Sequence, residues 1–153
     1  VLVSIAVASA AACGSAAPRG TCQELREAED QRSGMHVLEA GTTEYLTDPP
    51  TSGPHSNGPT PSGALTQPVA PEIQVRLLEA GGAMIVYPPN LDRETVDLLA
   101  TLTSDLVVSA PSPSPATSIV ATAWTWKLVC TELDVERLRT FLSDRRDAAP
   151  GLD

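Results

Sequence analysis

The sequence predicts an α+β domain: one small, mostly antiparallel or mixed sheet with two packed helices and a long proline-rich loop. Three observations lead there. Short apolar runs at 83–87, 106–110, 119–123 and 126–130 are bounded by Pro, Gly or turn residues, the mark of buried strands. Two stretches, about 90–103 and 131–146, repeat their apolar positions at helical spacing. Between 48 and 71, proline and glycine dominate and few apolar residues occur. With 153 residues and 42 % hydrophobic content, the chain has material for one core. Aromatics make up 3 %, so that core is built from Leu, Val, Ile and Ala.

In chain order, Val1 to Ala12 is uncharged and apolar and leads into Ala10-Ala11-Ala12-Cys13. Residues 1–12 read as an export signal truncated at its start. Small residues directly before Cys13 resemble the lipobox of bacterial lipoproteins, where the thiol is lipidated after cleavage. A plain secretory signal cut near Ala12 is the alternative, and upstream residues could lengthen the segment into an anchor. Residues 13–33 then form a lipidated cysteine and tether. Within them Gln23 to Arg32 is densely charged and reads as a short exposed helix. Cys22 and Cys130 are the two remaining cysteines. In an oxidising compartment an even pair reads most economically as a bridge.

Residues 34–150 are expected to fold as a single domain. Met35 to Glu39 reads as a short strand. Asp48-Pro-Pro-Thr-Ser-Gly-Pro-His55 is a polar loop whose backbone three prolines and a glycine leave little freedom. The group it holds out is the His55 imidazole. The rest of the stretch to Pro71 reads as loop rather than core. Ala83 to Tyr87 is a strand ended by Pro88-Pro89, and Asn90 or Asp92 caps a helix carrying Val96, Leu99 and Leu102. After the strand Leu106 to Ala110, Pro111-Ser-Pro-Ser-Pro115 reads as a stiff connection that cannot pair in a sheet. Two more strands flank a tight turn at Trp124-Thr125. Thr131-x-x-Asp134 resembles a capping box and opens a last helix with Val135, Leu138, Phe141 and Leu142 on one face. Arg145-Arg146 reads as that helix's charged end.

The formal charge of −9 and pI near 4.6 set the chain against phosphate backbones, so nucleic acid is not an expected partner. There is no G-x-S-x-G elbow, phosphate loop, dinucleotide fingerprint, zincin motif or EF-hand. Nucleophilic catalysis finds little support: Ser52 has His55 three residues on, but a rigid Gly-Pro intervenes.

The motifs along 34–146 resemble a bacterial family of exported or membrane-anchored proteins catalogued as domain of unknown function 3105. The residues that carry this are Met35-His-Val37, Asp48-Pro-Pro-Thr-Ser-Gly-Pro-His55, Val75-Arg-Leu-Leu-Glu-Ala-Gly-Gly82, Val120-Ala-Thr-Ala-Trp124 and Cys130. The resemblance implies no established activity. It does imply two histidines in the segment before Gly81-Gly82, and this chain has Arg76 and Ala80 there, while Glu79 between them is kept. Four imidazoles and a carboxylate would suit copper, zinc or iron. Here the candidate set shrinks to His36, His55 and Glu79. A His₂Glu set still holds zinc with an open position, whereas Arg76 opposes a cation and suits an anion.

The expected function is a cell-envelope lipoprotein, extracytoplasmic and membrane-anchored through lipid (alternatively secreted). Its domain is read as a small-ligand or metal-binding module with a degenerate histidine site for copper or zinc. Two other readings stand beside it: a metal-assisted hydrolase or redox enzyme with Glu79 as acid or base, and a structural protein whose loop docks a partner. All of them rest on His55 lying beside Glu79.

Overall fold

The computed structural model describes residues 21–147 and 149, except 39, 40, 42, 115 and 116. The expected export signal and Cys13 lie outside them. Nine elements follow in order: β1 (Cys22–Arg26), β2 (Gly63–Ala64), α1 (Pro71–Glu79), β3 (Ala83–Tyr87), α2 (Arg93–Ala100), β4 (Val107–Pro111), β5 (Ile119–Ala123), β6 (Trp126–Cys130) and α3 (Val135–Arg145). The strands form one six-stranded mixed sheet in the order β1-β6-β5-β3-β4-β2. β1, β6, β5 and β3 pair antiparallel in turn. β3, β4 and β2 run parallel, which α2 permits as the crossover between β3 and β4. The α+β class holds.

The central strands read as unbroken apolar runs because both faces of the sheet are covered. Alternate residues of β3 point opposite ways. Ala83, Ile85 and Tyr87 join Leu99, Leu128, Leu138 and Phe141 under α2 and α3. Met84 and Val86 join Val75, Leu77, Leu78 and Trp124 on the face carrying α1.

Three helices, not two, pack on the sheet. α1 is hidden in the sequence by its flanks. Pro71, which closes the proline-rich stretch, sits at its first turn, where the missing N–H costs nothing. Its polar Glu72 and Gln74 are buried, so the apolar stripe is broken. Gly81-Gly82 is its C-terminal cap. Gly81, at φ +81°, donates to Leu78 O at 3.0 Å, and Gly82 to Leu77 O at 2.9 Å, a Schellman pair. A Cβ on Gly82 would lie 2.7 Å from Leu106 O and 2.8 Å from Leu77 O, so no side chain fits.

Four local expectations need correction. The charged run after Cys22 opens as the edge strand β1, not a helix. Its charges suit an edge, and Glu24 is met by Arg137 and, at 2.8 Å, by Arg145. Within Met35–Glu39 only His36 forms a bridge, to His55, and Glu39 is not described. Pro111 does enter the sheet, opposite Tyr87 at the end of β4. Tyr87 O accepts from Ser112 N–H at 2.8 Å, so the ladder to β3 does not call on the N–H that Pro111 lacks. Finally, Asp134 itself caps α3, accepting from Arg137 N at 2.9 Å; Thr131 instead bonds Thr21. The two-residue turn at Trp124-Thr125 is as expected, with Thr125 at φ +59°.

Candidate functional site

The stiff loop is not an exposed strap. Pro49 to His55 is a continuous buried segment, pinned from several sides. Thr125 N–H donates to Thr51 O at 3.0 Å. Thr51 Oγ1 donates to Glu27 Oε2 at 2.8 Å, and Thr47 Oγ1 to the same oxygen at 2.6 Å. Asp30 N–H donates to Ser52 Oγ at 2.9 Å. Tyr45 Oη donates to Pro54 O at 2.8 Å, and its ring lies 3.1 Å from where a Cβ of Gly53 would be. Gly53 takes φ +129°, open only to glycine at low cost. Burial pushes the Tyr45 phenol up to about 12, helped by the Glu72 carboxylate, so it stays a donor at any working pH.

These restraints deliver His55 to one place. Its N–H donates to Met35 O and its carbonyl accepts from Val37 N–H, each at 2.9 Å, while Ser56 N–H donates to Glu72 O of α1 at 3.0 Å. The His55 side chain is 2 % exposed and its Nε2 lies 2.8 Å from Glu79 Oε2, at the last turn of α1. Arg76, one turn back, reaches the same carboxylate oxygen through Nη1 at 3.4 Å. The exposed His36 ring stands edge-on to His55, centroids 4.8 Å apart and planes at 88°. His36, His55, Glu79 and Arg76 are therefore brought together by the loop, the 35–37 segment and α1.

The electrostatics decide the form of the pair. Burial lowers the His55 pKa below its ordinary 6.5; Glu79 pulls it up, and His36 and Arg76 push it further down, with burial the largest influence. At neutral pH the ring is thus uncharged, and Nε2–H donates to the Glu79 carboxylate. The lone pair then sits on Nδ1, which is buried with no hydrogen-bond partner among the described residues. Arg76 Nε is in the same position. Glu79 engages His55 rather than standing beside it as a third ligand. Among the described residues no group of three or more His, Cys, Asp or Glu side chains is arranged to hold a metal ion.

Sequence reasoning passed over the buried pair Lys127–Glu27, Nζ to Oε1 at 2.9 Å. Hydrogen bonds from Thr47, Lys127 and Thr51, together with the Lys127 charge, hold the Glu27 carboxyl below its usual range, although burial alone would raise it most. The signal was present: Lys127 is the chain's only lysine, and it interrupts a strand between Trp126 and Leu128. Arg145 also does more than end a helix, lying 3.7 Å over the Trp126 ring.

Cys22 and Cys130 sit opposite each other in β1 and β6 and are disulfide-bonded across 108 residues. The bridge is consistent with an extracytoplasmic location. No described helix is long and apolar enough to cross a membrane.

The fold and site thus define a small α+β domain with a loop-held histidine–glutamate pair. Residues 36–151 match the model of a family described as protein of unknown function (DUF3105), and the chain belongs to that family. No curated protein and no solved structure matches the chain.

Proposed function

We propose that the domain is an extracytoplasmic ligand-binding module, anchored through lipidated Cys13, whose ligand is a transition-metal ion held by the imidazoles of His55 and His36. The observation that carries this reading is the orphaned Nδ1 of a buried, neutral His55 whose other nitrogen is fixed by a carboxylate. A metal-ligating histidine typically gives its second N–H to a carboxylate, which sets the tautomer and orients the ring. Glu79 then acts as the orienting group, not as a ligand. Two imidazoles suit copper(II) best and zinc(II) next. With only two protein donors the site is weak. Arg76 weakens it further by its charge, and its guanidinium suits an anionic co-ligand such as carboxylate or phosphate.

The test is a titration of copper(II) and zinc(II) followed by thermal stability. Copper should raise the melting temperature more than zinc, and the gain should vanish in His36→Ala and His55→Ala. His36 is exposed, so its removal leaves the fold intact even if His55→Ala does not. Glu79→Gln should weaken binding about 10–100-fold, and Arg76→Gln should strengthen it. No stabilisation by either metal, or equal stabilisation in both alanine variants, rejects the metal reading. Mass spectrometry of protein from native membranes should show an acylated Cys13 at the mature N-terminus; an unmodified Cys13 in membrane fractions rejects the anchor.

A further inference from the structure

We infer that the groove between the C-terminal end of α2 and the outer face of α3 binds a small organic anion with an apolar body. The groove lies apart from the histidine site and nothing in the proposal above depends on it. It encloses about 400 Å³, the size of a small-ligand site. Its floor is apolar, from Leu102, Val107 and Leu142, and its rim carries Arg139, Arg146 and Ser143, with one carboxylate, Asp147.

The arginines of α3 and its C-cap divide into two pairs with different fates. Arg137 and Arg145 turn toward β1 and are engaged by Glu24, Arg145 at 2.8 Å. Arg139 and Arg146 turn to the groove, and their acidic neighbours stay loose: Glu136 at 4.0 Å and Asp147 at 3.7 Å. Neither contact is short enough to be a hydrogen bond, so both guanidinium forks keep donors available. They stand seven residues apart, about 10 Å along the helix, with Leu142 and Ser143 between them. The opposite wall makes no demand on them. The last carbonyls of α2 are already bonded locally: Leu98 O by Thr101, Leu99 O by Leu102 and Ala100 O by Thr103. The result, in a chain of formal charge −9, is a rim of two arginines and one aspartate, net cationic, over a hydrocarbon floor. A carboxylate takes such a fork bidentately, and an alkyl chain behind it covers the floor.

The probe is octanoate, with acetate and 1-octanol as the two halves of its chemistry, titrated into ¹⁵N-labelled full chain. Octanoate should shift the amides of Thr101, Leu142, Ser143 and Arg146 saturably. 1-Octanol should bind at least tenfold more weakly, and acetate should leave these amides unmoved. In the double variant Arg139→Gln/Arg146→Gln, octanoate affinity should fall about tenfold or more while 1-octanol affinity holds. Both arginines are about half exposed, so the variant keeps its fold, as its melting temperature will show. The inference is overturned if octanoate and 1-octanol bind equally, if acetate binds as well as octanoate, if the double variant binds octanoate normally, or if no saturable shift occurs at these amides.

Discussion

The two faces of the sheet are packed by different chemistry. Under α2 and α3, the buried side chains are Leu, Ile, Ala and Val around Phe141 and Tyr87, with Cys130 at the edge; the Tyr87 phenol and Ser109 are its polar groups. Under α1 and the proline loop, apolar Val75, Leu77 and Met84 share the interior with His55, Lys127, Glu72, Gln74 and Thr122. Burying polar and ionic groups stabilises little, since desolvation offsets most of their attraction. What such groups gain is a fixed direction. The apolar face holds the domain together; the polar face aims a histidine.

That division makes a direct prediction, and the largest effect belongs to the apolar face. Phe141 is 1 % exposed and sits where α3 meets the sheet. Phe141→Ala should destabilise by about 3–5 kcal/mol, transfer and cavity contributions together, measured by urea unfolding. An effect below that of any single change on the loop side would mean that the polar network, not the α2/α3 layer, is the main source of stability.

The same contrast explains what could be read in advance. β3, β4, β5, β6, α2 and α3 declare themselves through apolar period and breakers, because one rule, burial of hydrocarbon, sets most of their residues. α1 does not, since Glu72 is inside the protein for a reason visible only in three dimensions: it accepts the Gly41 N–H at 3.1 Å. β1 was obscured for a similar reason. Glu24 and Arg26 look like a solvated helix face until Arg137, Arg145 and Trp126 come to meet them. At the site, the loop and its neighbours could be named from the motifs. The orphaned Nδ1 and the role of Glu79 could not, because both depend on which nitrogen faces the carboxylate. Lys127 could have been singled out, but its partner Glu27 lies 100 positions earlier.

The next effect in size tests the polar face. Lys127→Ala leaves Glu27 buried with its two threonine donors and no counter-charge. It should cost about 3 kcal/mol, the lower end for breaking a buried pair from one side. Replacing both partners, Lys127→Met with Glu27→Leu, should recover much of that loss, since packed hydrocarbon commonly substitutes for an ion pair. The double variant should nevertheless disturb the site, because Thr47 and Thr51 lose the acceptor that holds the loop. An NMR spectrum with unchanged His55 resonances in that variant would show that the network is not what aims the ring. A double variant as unstable as Lys127→Ala would show that the pair is itself a major source of stability.

The smallest effect is a pH dependence, and it reports on the pair directly. The folded-state pKa of His55 is depressed below 6.5, so near that value the unfolded chain binds more protons than the folded one. Stability must then rise with pH across this window. It is fully present above pH 6.5 and is lost as the pH falls through the folded value. Glu24, Glu27 and Asp30 are also held below their ordinary 4.5, 4.5 and 3.8, and their contribution is lost only at lower pH, as they become protonated. Unfolding curves kept above about pH 5.5 therefore isolate the histidine. The wild type should lose stability from pH 8 down to that limit, and His55→Gln should lose less. An NMR titration of His55 separates the neighbours. Glu79→Gln removes the one influence that raises the ring's pKa and should lower it further, while Arg76→Gln should raise it. If Glu79→Gln leaves the His55 titration where it was, the carboxylate is not bonded to Nε2, and the free Nδ1 on which the metal reading rests is lost with it.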